Sequence, residues 1–88
     1  MTPNAKNFEA DVRVRFAKAQ RLAAAFVDVR SGDVHRAVGG YPAADGDHRM
    51  PLCCEVMKKL MKDGDRILPP SPPSGQGASL LIRYFLPR

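Results

Sequence analysis

The chain has 88 residues, 44% hydrophobic and 26% charged, which suits one small globular domain with a thin core. It has no apolar run of about eighteen residues, and Met1 to Lys6 lacks the apolar segment of a signal peptide, which argues against a membrane or secreted protein and for a cytoplasmic one. A formal net charge of +5 draws the chain towards polyanions, either nucleic acid or an acidic protein surface. Chains this short often gain stability from a partner, so a homodimer is in keeping with the size.

From Asn7 to Phe26, the apolar residues Phe8, Val12, Phe16, Ala19, Ala23 and Phe26 recur at steps of four and three and form one helical stripe, widened by Leu22. Asn7 is the expected cap, with Glu9 and Asp11 near the positive end of the helix dipole. Val12 to Phe16 also alternates as a strand would, so this stretch carries both signals, the helical period being the longer. The β-prone run Phe26 to Val29 follows. Ser31, Gly32 and Asp33 then open a second helix of at most two turns, stopped by Gly39 and Gly40 and held by packing of Val34, Ala37 and Val38.

Tyr41 to Asp47 reads as a loop. A third helix is expected from about Arg49 to Lys62, with Pro51 in its first turn and Asp63-Gly64 as its stop. Cys53, Val56, Met57 and Leu60 form its buried stripe, leaving Glu55, Lys58, Lys59 and Lys62 outside. Next come a short strand from Arg66 to Leu68, a turn segment with Pro69, Pro70, Pro72 and Pro73, and a return strand from Ala78 to Leu86. Leu80, Ile82, Tyr84 and Leu86 share one face of that strand, which favours a hairpin over a linker. No internal repeat is evident, and the simplest division is a short tail, residues 1–6, and a single domain, residues 7–88.

Helix, short strand, two further helices and a two-stranded hairpin, in that order over nearly the whole chain, resemble a winged helix-turn-helix domain. The resemblance is one of element order and length. It implies an α+β fold of three helices with a C-terminal β-hairpin wing, and it implies binding of double-stranded DNA, with the third helix in the major groove and the wing on phosphate or in the minor groove. The residues it points to are Arg36 in the second helix, Arg49, Lys58, Lys59 and Lys62 along the third, and Arg66, Gln76 and Arg83 in the wing region, with His35 and Ser74 as further contacts. Long cations neutralise phosphates, whereas Arg49 and Gln76 have the bidentate geometry that reads base edges. Some domains of this kind bind proteins instead, and a protein-interaction adaptor is the competing expectation.

No set of residues points to catalysis or a cofactor, and the chain reads as a non-enzyme. Cys53 and Cys54 are adjacent and diverge by about a hundred degrees on a helix, which suits neither a long-range disulfide nor, with His35 and His48, the spacing of a zinc site. At least one is expected to fill the core. Asp28, Asp33, Asp45, Asp47, Asp63 and Asp65 fall at expected caps and turns. Ser74-Gly75-Gln76-Gly77 lacks the following Lys-Ser or Lys-Thr of a phosphate loop.

Overall fold

A computed structural model describes residues 4–39, 50–69 and 77–87. The elements are α1 (Ala5–Arg21), β1 (Phe26–Arg30), α2 (Ser31–Val38), α3 (Met50–Lys59), β2 (Arg66–Leu68) and β3 (Leu81–Phe85). The strands form an antiparallel sheet in the order β1-β3-β2, with Asp28 and Arg66 both opposite Arg83. Three helices and a C-terminal β-hairpin therefore build the α+β, winged-helix-like topology. No described helix is long and apolar enough to cross a membrane.

The first helix begins earlier than Asn7. Asn4 is its cap, and the Asn4 and Asn7 side chains each accept a hydrogen bond from the other's backbone N–H in a reciprocal capping box. Glu9 and Asp11 consequently lie beyond the first turn, where each pairs one turn onward, with Arg13 and Arg15 respectively. Phe8, Val12 and Phe16 are buried while Val14 is 50% exposed, which settles the helical period over the alternating one.

The helix also stops sooner than the stripe suggested. Ala24 N–H reaches Ala19 O, Ala23 N–H reaches Gln20 O, and Ala23 takes the left-handed conformation, φ 58°. This is a Schellman stop with alanine where glycine is usual. It turns Leu22 into solvent, 82% exposed, and places Phe26 on β1 instead of on the helical stripe.

The core lies between the helices and the inner face of the sheet. Val29, Ile82 and Tyr84 contribute from the strands, Phe8, Val12 and Phe16 from α1, Val34 from α2, and Met50, Cys53, Cys54, Val56 and Met57 from α3. Leu80, just before β3, is buried with Ile82 and Tyr84, and Leu86 packs at the margin. Tyr84 brings its one polar atom into the core satisfied: its hydroxyl donates to Met57 O at 2.6 Å while its ring meets Phe16 edge-on.

The base of the wing is tied to the start of α2. Ser31 N–H donates to Leu80 O and Gly32 N–H to Ala78 O, so the wing supplies acceptors for two donors that the helix leaves unpaired. Ser31 Oγ adds a bond to Gly77 O at 2.7 Å. A Cβ at Gly32 would sit 2.9 Å from Ala78 O, so glycine permits the close approach.

Candidate nucleic-acid interface

α3 is held from three sides. Cys53 Sγ donates to Ser31 O, Cys54 Sγ donates to Gly77 O, and Met57 O receives Tyr84. Both cysteines are fully buried, so both fill the core. Burial, helped by Cys54 and Asp11, pushes the Cys53 thiol up to about 12. Burial also raises Cys54, against the opposing pull of Ser31 and Lys58. Both thiols are therefore protonated near neutral pH. What α3 leaves outside is a narrow strip: Pro51, Glu55 and Lys59 exposed, Leu52 and Lys58 half-buried.

Lys62 does not continue that strip. The helix ends at Lys59, and the chain turns as Asp65 Oδ2 accepts from Lys62 N–H and Gly64 takes φ 96°. Lys62 instead lines a cleft of about 220 Å³ against α1, with Arg13, Phe16, Ala17, Gln20 and Leu60.

His35, expected to reach phosphate, has no exposed surface. Its ring packs edge-on against Phe8 and its Nδ1 lies 3.1 Å from Gly39 O. The apolar face of an eight-residue helix is wide enough to take in Val34 and its neighbour together. Ala37, expected among its packing residues, is exposed. Arg36 is exposed, with Nη1 3.5 Å from Asp33 Oδ1.

In the wing, Arg66 is exposed on the outer face of the sheet beside Arg83. Arg83 is already engaged. Its Nε and Nη2 grip both oxygens of Asp28 at 2.8 and 3.0 Å, its guanidinium lies 4.0 Å from the centroid of the Phe26 ring, and Asp28 raises its basicity further. Asp28 thus occupies a strand, not a cap or turn, and neutralises a cation across the sheet. Arg49, Ser74 and Gln76 lie outside the described residues, as do His48, Asp45 and Asp47.

These positions divide the basic residues in two. Arg13, Arg15, Arg36 and Arg83 each face a carboxylate. Lys58, Lys59, Lys62 and Arg66, strung from the end of α3 into β2, have no ion pair among the described residues, nor do Lys6, Lys18 and Arg21 on α1. Sequence reasoning did not single out Arg30, which likewise has no described ion pair, or the exposed Phe26 and Phe85. The signal for all three lay in the period-two pattern of the strands. Among the described residues no three His, Cys, Asp or Glu side chains cluster as a metal site would require. Compared with family models, with curated proteins and with solved structures, the chain matches none.

Proposed function

We propose that this is a small nucleic-acid-binding domain that holds double-stranded DNA through the outer strip of α3 and the wing. The observation that carries the reading is the run of cations from Lys58 to Arg66, which has no carboxylate partner among the described residues, whereas Arg13, Arg15, Arg36 and Arg83 are each paired. An unpaired cation releases a phosphate counterion at no cost in broken ion pairs, whereas a paired one must first give up its carboxylate. Glu55, exposed on the same strip, and the scarcity of amide and hydroxyl side chains there favour phosphate contact over base reading. Binding is accordingly weakly sequence-specific in this proposal.

The test is fluorescence anisotropy of a labelled random-sequence duplex across a salt series. Neutralisation of about six phosphates gives a log-log slope near −5, and Lys58→Glu/Lys59→Glu weakens binding and flattens that slope by about two. Lys62→Glu, on the α1 side, has the smaller effect. Absence of binding at low salt would overturn the reading and leave the protein-adaptor expectation in its place.

A further inference from the structure

We infer that the outer face of the sheet is a second binding surface, one for single-stranded nucleic acid, separate from the strip on α3 and sharing Arg66 with the duplex surface. The strands alternate, and the residues turned away from the core are Phe26, Asp28 and Arg30 on β1, Leu81, Arg83 and Phe85 on β3, and Arg66 and Leu68 on β2. Phe26 and Phe85 stand opposite each other at one end, 41% and 40% exposed, with ring centroids 6.2 Å apart and planes inclined by 62°. Two large rings left this exposed on a domain with so little core are a costly use of apolar surface.

The charge on the same face identifies the occupant. Among the described strand residues it carries three arginines, Arg30, Arg66 and Arg83, against one carboxylate, Asp28, while Asp65 before β2 accepts the Phe85 N–H at 2.9 Å. Asp28 is spent on Arg83 and fixes it over one side of Phe26, which makes that ring rigid and its surroundings cationic. Arg30 and Arg66 face solvent with no ion pair among the described residues. A second copy of the chain laid face to face would bring like charges together. An extended polyanion with exposed bases answers both features, its bases stacking on the phenylalanines and its phosphates running past Arg66 and Arg30. Stacking and backbone neutralisation together are how single strands are held without sequence preference. A duplex cannot use the rings, because its bases are already stacked on one another.

The experiment is anisotropy with a fluorescein-labelled oligothymidine of about twenty nucleotides, which forms no duplex of its own. The intact chain binds it, Phe26→Ala/Phe85→Ala loses about tenfold or more in affinity per ring, and Phe26→Leu/Phe85→Leu loses nearly as much, because leucine keeps apolar area but has no aromatic face. Arg66→Glu weakens binding further and lowers its salt dependence. Thermal melts of each variant show that the fold is retained, as expected for exposed side chains. Failure of the intact chain to bind oligothymidine, or binding indifferent to both phenylalanine pairs, overturns the inference. So does a dimer in sedimentation equilibrium that the alanine pair dissociates, which would give the face to a second copy. Lys58→Glu/Lys59→Glu serves as the cross-control: loss of duplex binding alone in that variant keeps the two surfaces distinct.

Discussion

The two faces of the sheet are built from alternate residues of the same strands, yet they obey different rules. On the inner face Val29, Ile82 and Tyr84 are closed off entirely, and the one hydroxyl among them is satisfied by α3. On the outer face Asp28, Arg83 and Phe26 hold one another in a shallow layer that remains open to water. Adjacent positions such as Ile82 and Arg83 therefore answer to different demands, one to close packing and the other to charge and ring contacts at the surface. A substitution at one should leave the property of the other nearly untouched.

The sharpest way to break the comparison is Ile82→Ala, which should cost about 2–5 kcal/mol in urea unfolding, whereas Arg83→Ala should leave the unfolding midpoint nearly in place. Alkali probes the interior behind the inner face. The Cys53 thiol rises from 9.0 to about 12 on folding, so the unfolded chain loses that proton first. Stability contributed by the buried neutral thiol is full below pH 9 and falls as pH climbs from 9 towards 12. Urea titrations at pH 8 and pH 10.5 should show the decline, and Cys53→Ala should lessen it, with the raised Cys54 thiol supplying a remainder of the same sign.

Smaller effects belong to the margins of the two layers. Gly32→Val should destabilise by about 1–3 kcal/mol, because Ala78 O is backbone at 2.9 Å and cannot swing away, and chemical denaturation would register the loss. Tyr84→Phe strips Met57 O of its donor and should lower stability by about 1–2 kcal/mol in the same assay. Ala23→Gly runs the other way: relief of the left-handed alanine should raise stability by about 0.5–1 kcal/mol, seen as a higher Tm. A fall in Tm at that position would count against the Schellman stop.

The inner face was legible because period two over Leu80, Ile82, Tyr84 and Leu86 is a long-lived signal, and burial follows from it directly. The helical stripe from Phe8 to Phe16 was legible for the same reason. Leu22 was misplaced, and Phe26 was counted to the helical stripe as well as to the β-prone run where it lies, because the stripe continues in sequence after the backbone has stopped, and nothing in an alanine run announces a left-handed Ala23. Lys62 shows the same limit at the other end of the fold. Its spacing matches the α3 strip, but the Asp65 side chain closes a turn that carries it towards α1. His35 and Arg83 were read by residue type, and residue type cannot reveal that one is walled in by Phe8 and the other clasped by Asp28. Three of the four pairs lie one helical turn apart and are open to sequence reasoning once the helices are placed, whereas Asp28 and Arg83 meet across the sheet from 55 positions apart, a tertiary contact that spacing does not announce.

The ties that join Ser31 and Gly32 to Gly77, Ala78 and Leu80 also bear on how this protein can vary. Every acceptor on the wing side of these ties is a backbone carbonyl, so the ties do not depend on which side chains stand at those positions. On the α2 side the steric demand falls on one residue, because a Cβ at Gly32 would meet Ala78 O at 2.9 Å. The seam between return strand and helix is thus carried by the main chain, the Ser31 hydroxyl and a single glycine, and drift in the neighbouring side chains leaves it in register.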